Sequence, residues 1–192
     1  DIVDGDGLLY ILARDRLDTG ALLGPVVGTI MSNFGLERAL KDLGVEFHRA
    51  KVGDRQVLAL LKQCGGMLGG ETSGHLLCLD KTTTGDGLIT ALQVLAVMRR
   101  TGKSLSDLAS GMQRLPQILL NVRMEERIDI DASDTVKAKV HDVESRLNGR
   151  GRVVLRASGT EPLIRVMVEG EDREQVVSLA ERLASVVAAS AA

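Results

Sequence analysis

Aromatic residues are almost missing from this sequence: its 192 residues include no Trp, one Tyr and two Phe. Proteins that bind single-stranded nucleic acids usually stack the bases on several aromatic side chains. Positive charge is not in excess either, because the formal net charge is -2. Bulk attraction to a nucleic acid or to an acidic membrane surface is therefore not expected. The sequence predicts a protein without a nucleic-acid partner.

Cysteine and long apolar runs are scarce as well. The two cysteines, Cys64 and Cys78, do not form a Cys-x-x-Cys pair, so neither structural zinc nor a disulfide framework is indicated. Together with His48 and His75 they show no metal-ligand spacing, and no metal site is expected. The apolar runs fall far short of the ~18–20 residues that cross a membrane, and no secretory signal opens the chain. These absences predict a cytoplasmic protein without a membrane partner.

What the sequence does contain is 44% hydrophobic residues, enough for one large core or two small ones. In the first part of the chain, short apolar runs alternate with segments whose apolar residues recur at helical intervals. This alternation is typical of βαβ units and a mostly parallel sheet. The last of these helical segments follows Asp86 and is predicted as a long amphipathic helix from the spacing of Leu88, Leu92 and Leu95.

The pattern changes after about residue 112, close to Pro116. Leu120, Val122 and Met124 alternate with polar residues, as in a half-buried strand, and the order strand, helix, strand, strand, helix follows. We therefore predict an α/β protein with two domains. Residues 1–114 form a mixed, mostly parallel α/β/α domain, and residues 115–192 form a small α+β domain with an antiparallel sheet.

A short turn in the second domain has the residues of a phosphate-binding loop. Arg156, Ser158, Gly159 and Thr160 lie in or beside it, and Arg165 follows closely. Guanidinium groups bind phosphate oxygens in bidentate fashion. Hydroxyl groups and backbone N–H groups around a glycine can fill the remaining acceptor positions. A polar hairpin turn with two solvated arginines is an equally good interpretation of these residues taken alone.

A second polar turn, Gly70–His75, lies in the first domain and combines Glu71, Ser73 and His75 between two glycines. Glycines let a backbone turn tightly and approach a ligand closely. A carboxylate can accept hydrogen bonds from two neighbouring sugar hydroxyls. The residues are therefore candidates for binding a sugar, with a plain surface turn as the alternative.

Another candidate segment, Gly53-Asp54-Arg55, lies where a predicted strand turns into a helix. Ligands of open α/β sheets usually bind at this end of the parallel strands. Asp54 and Arg55 are therefore candidate substrate contacts, while Asp54 is equally suited to cap the helix. Ser32-Asn33, after the first strand, has the same two interpretations. For residues 82–87, N-capping by Thr84 or Asp86 is favoured over phosphate binding at the helix N-terminus.

The turn at residues 156–162, with Arg165, resembles the phosphate-binding loop of the α-D-phosphohexomutases, the family of phosphoglucomutase, phosphomannomutase and phosphoglucosamine mutase. Three further segments resemble the phosphoglucosamine mutase branch: 51–55, 70–75 and 80–87. The resemblance implies that Glu71 and Ser73 bind the sugar hydroxyls at C3 and C4. It also implies that His75 contacts the substrate and is a candidate for proton transfer, and that the Arg156–Arg165 segment anchors the phosphate that is not reacting.

By the same resemblance, the chain is a C-terminal fragment that corresponds to the third and fourth domains of a four-domain enzyme. Asp4-Gly5-Asp6-Gly7 is similar to the family's metal loop, but Leu8 and Leu9 follow where the family has Asp and Arg. No match to the phosphoserine loop is present. The resemblance therefore implies Mg²⁺ and an activating glucosamine or glucose 1,6-bisphosphate as cofactors of the full-length enzyme, and an inactive fragment.

The activity implied for the full-length enzyme is the interconversion of glucosamine 6-phosphate and glucosamine 1-phosphate, through a phosphoserine and a bisphosphate intermediate. Its implied partners are the phosphosugar substrate, the missing N-terminal domains and, at full length, a second copy in a homodimer. Three other functions remain open: action on another hexose phosphate of the same family, non-catalytic binding of a phosphosugar, and an anion-binding scaffold for proteins.

Overall fold

The computed structural model describes residues 2–124, 133–158 and 161–190. These residues form two units, one that ends at Arg114 and one that begins at Leu115. Gly159 and Thr160 of the predicted phosphate-binding loop lie outside the described residues. No helix within the described ranges is long and apolar enough to cross a membrane.

The first unit is a layered α/β structure. Its elements are α1 (Gly5–Asp18), β1 (Val26–Thr29), α2 (Phe34–Asp42), β2 (Phe47–Ala50), α3 (Asp54–Cys64), β3 (Leu68–Gly70), β4 (Leu76–Cys78), α4 (Gly87–Thr101) and α5 (Leu105–Ala109). The strand order is β2-β1-β3-β4, in which β1 is parallel to β2 and β3, and β4 is antiparallel to β3. The predicted mixed, mostly parallel α/β fold is confirmed.

Strands β1, β3 and β4 are buried, and their consecutive side chains point to opposite faces of the sheet. Val26 belongs to the core formed with α1, α2 and α4. Its neighbour Val27 packs on the other side, with Val57 and Leu61 of α3. This arrangement explains why the strands appear in the sequence as short continuous apolar runs.

Polar residues cap α1, α2 and α4. Asp4 Oδ1 accepts a hydrogen bond from the N–H of Gly7 in α1, and Asn33 Oδ1 accepts one from Gly35 in α2. Asp86 Oδ1 accepts one from Ile89 in α4. Such bonds satisfy N–H groups that have no partner inside the first turn. The capping interpretation of residues 82–87 is therefore confirmed.

Helix α4 forms as predicted, but its buried face is not the leucine face. Thr90, Val94 and Val97 are buried, whereas the three predicted apolar positions are exposed, namely Leu88, Leu92 and Leu95. The helix is apolar on both sides, so the spacing of its leucines identifies a helix without identifying which face packs inward.

The second unit is a small α+β structure. Its elements are β5 (Gln117–Arg123), α6 (Asp134–Leu147), β6 (Gly151–Ala157), β7 (Leu163–Gly170) and α7 (Arg173–Ala189). All its pairings are antiparallel, with β7 between β5 and β6. Helices α6 and α7 cover one face of the sheet around a core that includes Val143, Val166 and Leu183. The predicted antiparallel α+β arrangement is confirmed.

Candidate functional site

In the first unit, the turns that follow three parallel strands meet at one edge of the sheet. Strands β1, β2 and β3 all run in the same direction, so their carboxyl ends lie at the same edge. The segments 30–33, 51–53 and 71–75 follow these ends. Ligands of open α/β sheets usually bind at this edge, and the candidate sugar-binding residues lie in these segments or just beyond them.

The Gly70–His75 segment is the turn of a short antiparallel hairpin between β3 and β4. Glu71 O accepts a hydrogen bond from the N–H of Gly74 over 2.9 Å, and Glu71 N–H donates to His75 O over 3.1 Å. Gly74 has a φ of 98°, a conformation that favours glycine. Thr72 and Ser73 occupy the two central positions of this turn, and Ser73 is exposed. The hydroxyl of Ser73 is therefore accessible to a ligand.

Glu71 and His75 approach the turn between β2 and α3. The Glu71 carboxylate accepts a hydrogen bond from the N–H of Gly53 over 3.0 Å, and His75 Nε2 lies 4.0 Å from Asp54 Oδ2. Arg55 is exposed in the first turn of α3. Glu71, His75 and Asp54 are thus neighbours.

Asp54 does not cap α3. Gly53 occupies the N-cap position, and no side chain caps this helix. Asp54 instead lies in the first turn, where its Oδ1 accepts a hydrogen bond from Arg55 N–H over 2.8 Å. The capping interpretation of Asp54 was wrong because the chain turns into the helix one residue earlier, at a glycine whose φ of 122° suits a sharp turn.

Gly85 makes room for the imidazole of His75. A Cβ at residue 85 would overlap with the ring, Nε2 included. A glycine at this position therefore leaves room for the ring beside the backbone ahead of α4. Sequence reasoning assigned residues 82–87 to helix capping and missed this contact.

Asp6 is hydrogen-bonded to the Gly70–His75 segment, which we call the candidate sugar turn. It is fully buried, and its Oδ2 accepts hydrogen bonds from the Thr72 hydroxyl and from the Asn33 N–H, each over 2.9 Å. Burial raises the pKa of Asp6, and the hydrogen bonds from Asn33, Thr72 and Ser32 oppose this shift in part. The backbone of α1 also touches the turn, since Gly5 N–H donates to Thr72 O. Sequence reasoning missed this role of Asp6.

Asp4 and Asp6 are therefore occupied as a helix cap and as a buried hydrogen-bond acceptor. Within the described residues, no group of three or more His, Cys, Asp or Glu side chains is arranged to hold a metal ion. The described residues therefore provide no binding site for the magnesium ion that the resemblance implies for the full-length enzyme.

The second unit contains the two arginines of the predicted phosphate-binding loop. Arg156 on β6 lies directly opposite Arg165 on β7, and Arg165 lies directly opposite Asn121 on β5. Directly paired residues of a sheet share a face, so the three form one row. This row lies on the face opposite α6 and α7, because Ile164 and Val166 on either side of Arg165 belong to the core.

The two arginine side chains are incompletely hydrogen-bonded among the described residues. Both are half-buried, and the buried Nε atoms of Arg156 and Arg165 have no hydrogen-bond partner among the described residues. Like charges directly opposite one another destabilise a sheet, and a buried donor without an acceptor costs free energy. An anion that binds both groups would remove both penalties.

Ser158 lies at the end of β6, beside this pair, and is buried. Its N–H donates to Leu163 O over 2.9 Å, and its hydroxyl oxygen accepts a hydrogen bond from Glu161 N–H over 3.3 Å. These bonds shape the turn between β6 and β7. Asn121 completes the row on the neighbouring strand, and its pairing with Arg165 was not predicted from the sequence.

Comparison with known families identifies both units. A family model of the phosphoglucomutase/phosphomannomutase α/β/α domain III matches residues 4–115, and a model of the C-terminal domain matches residues 119–186. The chain belongs to the phosphoglucomutase/phosphomannomutase family. This membership confirms the resemblance to the α-D-phosphohexomutases.

Curated members of the phosphoglucomutase/phosphomannomutase family are similar to the chain over nearly all its length. The phosphoglucosamine mutase of Alkalilimnicola ehrlichii is 57% identical over 187 residues, which are 97% of this chain and 42% of that protein. The phosphoglucosamine mutase of Photorhabdus laumondii is 60% identical over 185 residues, 96% of this chain and 42% of that protein. The chain thus spans less than half of the length of these relatives.

Solved structures of the phosphohexomutase superfamily share the fold. Aspergillus fumigatus N-acetylphosphoglucosamine mutase in complex with GlcNAc-6P and magnesium has a TM-score of 0.82 and 21% identity, covering 97% of this chain and 47% of that chain. A structure of a serine-to-alanine variant of this enzyme, in complex with glucose 1,6-bisphosphate, has a TM-score of 0.79 and 21% identity, covering 100% of this chain and 44% of that chain. At these identities the likeness concerns the fold.

Proposed function

We propose that this chain is the sugar- and phosphate-binding part of a phosphoglucosamine mutase, an enzyme that interconverts glucosamine 6-phosphate and glucosamine 1-phosphate. The observation that carries the proposal is the pairing of Arg156 with Arg165. Two half-buried arginines lie directly opposite one another in the sheet, and each has a buried Nε without a hydrogen-bond partner among the described residues. Such a pair is suited to bind a doubly charged phosphate ester.

In this proposal the second unit anchors the phosphate that is not reacting. Arg156 and Arg165 neutralise its charge, while Ser158 and the neighbouring Gly159 and Thr160 supply further donors. The reaction moves a phosphoryl group between O1 and O6. The bisphosphate intermediate therefore has to reverse its orientation in the site between the two transfers. An anchor that binds phosphate by charge and not by sugar contacts can hold either end of the intermediate. Phosphoryl transfer depends mainly on such positioning and charge stabilisation.

The first unit binds the sugar ring. Glu71, whose carboxylate is oriented by Gly53 N–H, accepts hydrogen bonds from two neighbouring hydroxyls, and the exposed Ser73 adds a further polar contact. Asp54 and Arg55 line the adjacent turn as substrate contacts. His75, located beside Asp54, contacts the substrate and is the candidate for proton transfer. A turn that recognises two similar hydroxyls accepts the ring in both orientations that the reaction requires.

The phosphoserine and the magnesium ion belong, in this proposal, to other domains of the longer protein. Magnesium would neutralise charge on the transferred phosphoryl group, and a sugar 1,6-bisphosphate would activate the enzyme. The relatives named here extend well beyond the matched region, which supports further domains. A homodimer and a cytoplasmic location of the longer protein stay predictions.

The test is a full-length chimaera in which this chain replaces the matching 187-residue region of the Alkalilimnicola ehrlichii enzyme. Mutase activity is measured with glucosamine, glucose and mannose 6-phosphates, in the presence of magnesium and bisphosphate activator. Preference for glucosamine 6-phosphate supports the proposal. Preference for glucose or mannose phosphate assigns the chain to a phosphoglucomutase or phosphomannomutase. Phosphosugar binding without turnover would instead indicate a non-catalytic module.

A further inference from the structure

The exposed side of α4 is an apolar surface. Leu88, Leu92 and Leu95 are 79%, 63% and 56% exposed. They follow one another at intervals of four and three residues. At 3.6 residues per turn these positions lie on one face of a helix. Ala91 and Ala96 flank them and are exposed too. The result is a continuous apolar stripe, which we call the α4 leucine face.

The opposite side of α4 is apolar as well and is already packed. Val94 and Val97 belong to the core of the first unit, and Thr90 is also buried. From Gly87 to Met98 the helix contains no charged residue. A surface helix normally carries polar and charged residues on its outer face, and a helix that is apolar all round is buried between two layers. The composition of α4 is therefore that of a helix covered on both sides.

We propose that the α4 leucine face is the docking surface for the part of a phosphohexomutase that this chain lacks. The chain matches domain III and the C-terminal domain of the family, and spans 42% of the relatives from Alkalilimnicola and Photorhabdus. More than half of those proteins therefore lies outside the matched region and is available to cover this face. The partner surface is apolar and contacts all three leucines.

This inference is independent of the sugar and phosphate turns, so its test does not use activity. We compare Leu92→Glu with wild type in two settings: the 192-residue chain and the full-length chimaera with the Alkalilimnicola enzyme. Leu23→Glu is the matched control, because Leu23 is 56% exposed like Leu95 but lies in the loop before β1. The melting temperature is measured by calorimetry in both settings, and the mass of the chain by analytical ultracentrifugation.

The proposal predicts that Leu92→Glu leaves the melting temperature of the isolated chain unchanged and lowers that of the chimaera by about 4 °C or more. Leu23→Glu should change neither. Equal melting temperatures of the variant and wild-type chimaeras would overturn the proposal. So would an equal drop in both settings, because Leu92 would then act within its own unit. A wild-type chain that dimerises and becomes monomeric with Leu92→Glu, without an effect in the chimaera, would assign the face to a second copy.

If the Leu92→Glu chimaera does not fold, the milder Leu92→Ala is measured in the same way. It shortens the side chain without adding charge. A lower melting temperature of the chimaera with an unchanged isolated chain supports the docking surface, and no difference in either setting rejects it.

Discussion

Asp6 and Thr72 are joined by a hydrogen bond of 2.9 Å from the threonine hydroxyl to the buried carboxylate. The same carboxylate oxygen accepts the N–H of Asn33. One side chain of α1 therefore connects the turn after β1 with the candidate sugar turn after β3. We infer that Asp6 positions the backbone on which Glu71 and Ser73 are presented.

Replacing Asp6 with alanine should loosen both turns. The change removes the acceptor of a buried N–H group and of a hydroxyl, and an unsatisfied buried group costs about 1–3 kcal/mol. Hydrogen exchange should become faster at Asn33 and across residues 72–74. Asp6→Asn is the matched control, because its amide oxygen can still accept. Identical exchange in Asp6→Ala and wild type would show that Asp6 does not hold these turns.

The ionisation of Asp6 should make the stability of the chain depend on pH in a defined direction. Burial raises the pKa of Asp6 above 3.8, so the folded chain retains its proton at pH values where the unfolded chain has released it. The stabilisation is complete below the unfolded pKa and is lost as the pH rises through the folded pKa. The free energy of unfolding of Asp6→Asn relative to wild type should therefore increase as the pH rises above about 4. Urea titrations of both proteins check this, and parallel pH profiles would contradict it.

Much of the fold was predictable because many of its elements have a local signal in the sequence. The helix α2 repeats Leu36 and Leu40 at helical spacing and ends before Gly44, whose φ is 73°. The face of α4 was not predictable. Both of its sides are apolar, and which one packs depends on residues outside the helix, in α1 and β4.

The candidate site was predictable where a short segment carries all the chemistry, as in the turn with Glu71, Ser73 and His75. Asp6 was not predictable, because its partner Thr72 is remote in the sequence and because Asp-Gly-Asp-Gly also suits a metal loop. The pairing of Arg165 with Asn121 depends on strand register. Register follows from which faces are buried, and single residues do not reveal it.

Replacing Arg165 with alanine should weaken phosphosugar binding by the full-length chimaera by about 1.5–3 kcal/mol, the scale of a charged hydrogen bond. It should not weaken the fold by a similar amount, because the change also removes a like-charge pair with Arg156. Calorimetric titration with glucosamine 6-phosphate and urea unfolding measure the two effects. Arg150→Ala is the control, an exposed arginine of the same unit. Equal affinities of Arg165→Ala and Arg150→Ala would remove Arg165 from the site.

The isolated 192-residue chain should not catalyse the mutase reaction. Positioning of the phosphosugar accounts for only part of phosphoryl transfer, and the described residues hold no group of metal ligands. The assay combines the purified chain with glucosamine 6-phosphate, a bisphosphate activator and magnesium, and follows glucosamine 1-phosphate. The chimaera serves as the positive control. Turnover by the chain alone would show that it contains the complete catalytic apparatus.

Adding a methyl group at Gly85 should displace the His75 imidazole without unfolding the chain. The new Cβ would overlap with the ring, and the ring can yield because its side chain is 41% exposed. The His75 ring signals in the NMR spectrum should therefore shift in Gly85→Ala, while the melting temperature changes little. Gly87→Ala is the matched control, because a Cβ at Gly87 meets no atom within 4 Å. If both variants leave the His75 signals where they are in wild type, Gly85 does not orient this histidine, and its small size serves only the turn before α4.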